Sequence, residues 1–190
     1  MKYLFISILI VTVLPCFSQV SVTVKWNQYN SLLKNDTIYY NPGKKITWQD
    51  FKGKPDVQSG ATAITSSGFG YLAGIQSHEG KTDIGITVYC YFSKPGSWVR
   101  TASDYALNHE QHHFDISFIV TSLFIQKLKA AKFTRNNYDA LLEKIYRESC
   151  RELEKMQNDY DGQTRNGRLP IVQAEWNEKI EKQLLLLSTI

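Results

Sequence analysis

The chain reads as an α+β protein, strands first and helices after. Residues 20–92 alternate apolar and polar side chains between clusters of turn residues. From Ser103 the apolar spacing changes to a helical period, and Pro170 suits the first turn of a last helix. One domain is expected over 19–190, strand-rich over 19–99 and helical over 100–190. It would consist of an N-terminal antiparallel sheet, a helical hairpin and a C-terminal helix.

Residues 1–18 are set apart from that domain. Lys2 precedes the apolar run 3–14, and Cys16 and Ser18 suit cleavage after Ser18, which is the layout of a secretory signal peptide. Lipid attachment at Cys16 is the competing reading, although Pro15 fits poorly before a lipidated cysteine. Either way the product is expected to be secreted or periplasmic, with no integral membrane span in the mature chain. Of 22 Lys and Arg, loss of Lys2 leaves 21 against 18 Asp and Glu. So mild an excess, without an arginine-rich run, argues against a nucleic-acid binder. Cys90 and Cys150 are too far apart for a CxxC motif and either pair or remain buried thiols.

The strands follow in order. Residues 20–26 (VSVTVKW) alternate strictly, as a half-buried strand does, and 37–40 lead into an Asn-Pro-Gly turn at 41–43. Residues 68–75 and 82–92 flank the polar segment 78–81 as an antiparallel hairpin, and the turn 93–97 closes the region. Ser103 or Thr101 caps a helix from Asp104 to about Ala131. After a break at 133–136, Thr134 caps a second helix. Its apolar stripe runs through Tyr138, Leu142, Ile145, Ser149, Leu153, Met156 and Tyr160. A loop over 161–169 precedes a last helix reaching about Leu187.

The first long helix carries NHEQHHFD at 108–115, which fits H-E-x-x-H at His109, Glu110 and His113. Residues four apart on a helix lie about 40° apart around its axis, so both imidazoles reach one metal ion. Glu110, one step round, is placed to take a proton from a water at that ion. The sector holding the pair also contains Ala106, Ile116, Val120 and Phe124, so the pair faces the interior. His112 points about 80° away, towards the surface or the surroundings of the site, and Asp115 further still; neither is read as a ligand. Glu110 to His113 also fits the E-x-x-H unit of di-iron bundles, but no histidine follows His113 to make the second unit. For the same reason a third zinc ligand cannot be a downstream histidine. Folding the two helices back to back about residue 133 sets 154–161 opposite the pair, with Glu154, Asp159 and Asp161 as acidic candidates.

Several blocks then match a known pattern in order. They are Trp48-x-Asp-Phe-Lys-Gly53, Ala61-x-Ala-x-Thr65, Ser97-Trp-Val99, His109-Glu-Gln-x-His-Phe-Asp115, Met156-Gln-x-x-Tyr-Asp161-x-x-Thr164 and Glu175-Trp-Asn177. Together they resemble a family of uncharacterised bacterial proteins described as predicted secreted zinc-dependent proteases, over about 46–180. The resemblance implies a zincin-like fold, zinc on His109 and His113, and Glu110 as catalytic base. Two positions depart from it: His112 stands where the family has glycine, and Asn166 where it has histidine after Y-D-x-x-T-x. Asp161, within the intact Y-D-x-x-T block, is preferred as third ligand.

The expectation is a secreted zinc metallohydrolase acting on a peptide or protein, with residues 82–92 lying along the cleft to pair with an extended substrate. A zinc-binding module without catalysis and a surface interaction protein with a decayed motif are the alternatives.

Overall fold

The computed structural model describes residues 19–27 and 36–187; the expected leader at 1–18, with Cys16, lies outside them. The order is β1 (Gln19–Trp26), β2 (Thr37–Tyr39), a 3-10 turn (Trp48–Asp50), β3 (Ala63–Ile64), β4 (Ser67–His78), β5 (Lys81–Ser93) and β6 (Trp98–Val99). Three helices follow, α1 (Asp104–Ala130), α2 (Tyr138–Thr164) and α3 (Pro170–Leu187). The protein is thus α+β, with the strands ahead of the helices.

β5 is the spine of the sheet. β4 pairs antiparallel along it from Ser67↔Phe92 to His78↔Lys81, through the two-residue turn Glu79-Gly80. Both turn residues have positive φ, 48° and 77°, the twist that a tight hairpin needs. The other edge of β5 is shared end to end: β1 covers 81–88 and β2 covers 91–93. β2 is antiparallel, but β1 runs parallel to β5, so the sheet is mixed rather than wholly antiparallel as expected. Alternation reports which face of a strand is buried and is silent about its direction. A separate two-stranded ribbon joins β3 to β6, Ala63↔Val99 and Ile64↔Trp98.

α1 crosses the inner face of the sheet, and α2 and α3 pack on it. Three apolar clusters surround it. Phe69, Ile84, Ile86 and Val88 of the sheet meet Val120, Phe124 and Leu128 of α1 and Leu142 and Ile145 of α2. Phe92 and Phe114 meet Tyr40, Ile46 and Phe51 of the chain entering the domain. Ile116 and Ile119 meet Tyr160, Trp176 and Ile180. A helix covered on three sides has no polar face to give away, and residues 109–117 are all buried.

The helix ends obey local chemistry. Ser103 Oγ accepts from the Ala106 amide at 3.1 Å, as expected of the cap. Thr134 does not cap α2. It exchanges bonds with Asn137 (2.7 and 3.2 Å) to form a turn ahead of the helix, which starts at Tyr138. The far end differs more: α2 continues to Thr164, so Asp161 stands in its last turn and not in a loop. Arg165, Asn166 and Gly167 then take positive φ of 50°, 53° and 74° and end it. Cys90 and Cys150 are free thiols, the first in the core below Phe92 and the second packed on the α2 cluster.

Phe124 is fully buried and its ring meets Phe69, Tyr71 and Tyr146. Phe124→Ala should cost about 3–5 kcal/mol of unfolding free energy, read as a lower urea midpoint at unchanged slope.

Candidate metal centre

α1 and α2 run antiparallel, and their pairing brings His109, His113 and Asp161 together. His109 Nε2 lies 3.1 Å from Asp161 Oδ1, His113 Nε2 lies 3.0 Å from the same oxygen, and the two ring nitrogens are 3.2 Å apart. Metal–ligand bonds of about 2.1 Å in tetrahedral array put ligand atoms about 3.4 Å apart, close to every edge of this triangle. Among the described residues these three form a group that could hold a metal ion. The other acidic candidates are elsewhere: Glu154 is exposed and Asp159 holds Lys155 at 2.5 Å.

Neighbouring side chains hold the two rings from every side. Tyr160, fully buried, stacks on His109 with centroids 4.6 Å apart and meets His113 edge-on at 5.0 Å. The second nitrogen of each ring meets a glutamine: His109 Nδ1 is 2.8 Å from Gln173 Oε1, and His113 Nδ1 bonds Gln157 Oε1. The turn after α2 closes over His109, where a Cβ on Gly167 would come within 3.4 Å of the ring. Tyr105 Oη donates to the Gly167 carbonyl at 2.6 Å and pins that turn. Trp176 packs on Tyr160, and Asn177 bonds Asn108 at 2.9 Å. Tyr160 was legible as the end of the apolar stripe of the second helix and Gln157 only as a member of a block, while Gln173 carried no signal, since a glutamine on a helix face is ordinarily solvated.

Glu110 is 5 % exposed, and its Oε2 is buried without a hydrogen-bond partner among the described residues. A buried, unpartnered carboxylate oxygen is costly and marks a place where something else is expected to bind. Its residue lines the same cleft as the triad. The donor set and this orphan oxygen both fit a divalent cation with a water beside it.

Electrostatics within the triad follow from contact and burial. Burial works to raise the Asp161 pKa, but the two imidazoles, which donate to it in their protonated form, overcome this and hold the carboxyl well below its usual range. Burial works to lower the His113 pKa, and the Asp161 carboxylate reverses this, so the net direction is up.

The cleft holds about 770 Å³. Its far wall is the segment 59–67, which contains β3, and not the expected strand 82–92. β5 lies in mid-sheet with strands on both edges, so it has no free backbone to offer. β3 pairs only with β6, and its second edge carries no strand among the described residues. Thr65 Oγ1 donates to the Glu110 carbonyl at 3.1 Å and ties this wall to α1. Arg168 and Asn166 stand at the rim.

His112 and Asp115 stand apart from the triad, and neither reaches the surface. His112 is 2 % exposed, its Nδ1 donating to the Asn108 carbonyl at 2.7 Å. Asp115 accepts from Tyr40 Oη at 2.9 Å and Gln111 Nε2 at 2.8 Å. Residues 40–46 and α3 flank the far side of α1 and leave these two side chains almost no exposed surface.

The metal-free protein should show the triad in its pH profile. A depressed Asp161 pKa stabilises the fold above about pH 4, and that contribution fades as pH falls towards the depressed folded value. A raised His113 pKa stabilises it below about pH 6.5, and that contribution fades as pH rises through the folded value. The pair therefore contributes most between about pH 4 and 6.5. Urea midpoints against pH should peak there in chelator-treated wild type, and the peak should flatten in Asp161→Asn.

The chain matches no family model, no curated protein and no solved structure among those compared, so its function has to be read from the geometry of the site.

Proposed function

We propose that the protein is a secreted zinc-dependent hydrolase, zincin-like in its site, and that it acts on peptide bonds. One observation carries this reading: His109, His113 and Asp161 point three donor atoms at one place, and Glu110, whose buried Oε2 has no hydrogen-bond partner among the described residues, lines the same cleft. His109, His113 and Asp161 would hold the ion. Zinc bound there supplies a Lewis acid for the scissile carbonyl and lowers the pKa of water.

The remaining chemistry belongs to the chain. Glu110 takes the proton from the attacking water and returns it to the leaving amine, serving first as base and then as acid. Burial among the helices keeps its carboxylate aimed and poorly solvated. The unpaired edge of β3 suits an extended polypeptide, which would add to the ribbon by backbone hydrogen bonds. The wall beside it is built of Gly60, Ala61, Ala63 and Ser66, side chains too small to exclude a bulky residue.

Two histidines with one carboxylate also suit Fe(II), so the metal is identified by elemental analysis. The purified chain should contain one zinc per protein, and His113→Ala and Asp161→Ala should lose it. Glu110→Gln should keep the zinc while kcat/KM in a peptidase screen falls about 10²–10⁴-fold. Stoichiometric zinc with no effect of Glu110→Gln would leave a binding module. Absence of metal after reconstitution would leave an interaction protein.

A further inference from the structure

We infer that Gln157 and Gln173 are positioning residues that set the tautomers of His113 and His109, so that the metal site is assembled before an ion arrives. This rests on the metal-binding part of the proposed function and not on its catalytic part.

A neutral imidazole carries one N–H and one lone pair, and which nitrogen holds the proton follows from what the other one meets. Both Nδ1 atoms here meet the carbonyl oxygen of a glutamine, which can only accept. The Gln157 amide is not free to flip, and the Gln173 amide flips only if those of Asn177 and Asn108 reverse with it. Gln157 Nε2 donates to the His113 carbonyl at 2.9 Å, so reversing it would set oxygen against oxygen. Gln173 Nε2 donates to Tyr160 Oη at 2.5 Å and to Asn177 Oδ1 at 2.7 Å, while Asn177 Nδ2 donates onward to Asn108 Oδ1 at 2.9 Å. Both Nδ1 atoms therefore bear protons, and both Nε2 lone pairs face Asp161 Oδ1 and each other across 3.0–3.2 Å. Three electron pairs directed at one point repel unless a cation sits among them.

The choice of glutamine matters as much as its place. A carboxylate behind a metal-binding histidine orients the ring and also makes it more basic. An amide orients the ring and adds no charge, so the ligands bind less tightly and the ion keeps more of its positive charge. The two glutamines come from different helices, Gln157 from α2 and Gln173 from α3, which gives α3 a part in the site although it supplies no ligand.

Two measurements on the full chain test this. The first is long-range proton–nitrogen NMR of the histidine rings in metal-free protein, at a pH where the rings are neutral. His109 and His113 should both be protonated at Nδ1. Gln157→Leu should release His113 alone, and Gln173→Leu should release His109 alone, a one-to-one response that general loosening of the core would not produce. The second is zinc affinity by competition with a chromophoric chelator. Each leucine variant should bind about 10–100-fold more weakly, and Gln157→Glu should bind at least as tightly as wild type. Either histidine protonated at Nε2 in wild type would overturn the inference, and that result needs no variant to fold. Wild-type zinc affinity in both leucine variants would overturn it as well. Failure of the wild type to bind zinc would instead sink the metal-centre reading, while the ring tautomers would still decide this one.

Discussion

A helix buried on every side, with polar residues over more than two turns, is the constraint from which the rest of the structure follows. From His109 to Ser117, α1 carries His109, Glu110, Gln111, His112, His113, Asp115 and Ser117, all buried. Each would cost more than a typical hydrogen bond returns if left without a partner. The surrounding chain supplies the partners. The Ile46 amide donates to Gln111 at 2.9 Å, Tyr40 reaches Asp115, Ser67 meets Ser117 at 2.8 Å, and α2 and α3 each send a glutamine to a histidine. Glu110 Oε2 is the exception within this run, and its residue lines the cleft. Trp48 Nε1, Ser149 Oγ and Gln183 Oε1 are also buried without partners among the described residues, but of the four residues only Glu110 lines the cleft of the triad, which is what ties it to function.

Much of this could be read from residue order, because helical spacing is a geometric code. The interior stripe of α2, the cap at Ser103 and the pairing of the histidines all follow from 3.6 residues per turn. The choice of Asp161 over Asp159 was harder, since two residues turn a helix by about 200° and reverse the face. It was settled by α2 running three residues past Asp161, which holds that carboxylate on the face turned towards α1. The parallel direction of β1 and the joining of β3 to β6 could not be read. Both depend on which distant strands meet, and alternation carries no such information. The tautomer pair at Gln157 and Gln173 was hidden for a different reason: their partners lie 44 and 64 residues away.

The quoted sequence blocks acquire a common physical cause once folded. Gly53 is packed so closely that a Cβ would meet the Pro95 and Ser97 carbonyls at 2.7 and 2.8 Å, and Ser97 Oγ accepts from the Ser66 amide at 2.9 Å. Residues 61–65 form one wall of the cleft, with 97–99 paired behind them, while Gln157 and Asp161 stand on the opposite one. Asn177, from the last block, reaches Asn108 beside the histidine. Residues far apart in the chain are held to one shape because a single cleft needs two walls at a set separation.

The ending of α2 just beyond Asp161 has an electrostatic consequence of its own. Aligned peptide dipoles leave roughly half a negative charge at a helix C-terminus, and the effect is confined to the last turn. Asp161 stands in that turn, with its own carbonyl accepting from the Arg165 and Asn166 amides as the chain turns away. The backbone therefore adds its negative end to the carboxylate at the place where the two imidazoles point. That terminus strengthens the pull of the Asp161 carboxylate on a cation, against the positive Arg168 at the rim and the positive end of α1 in the same cleft.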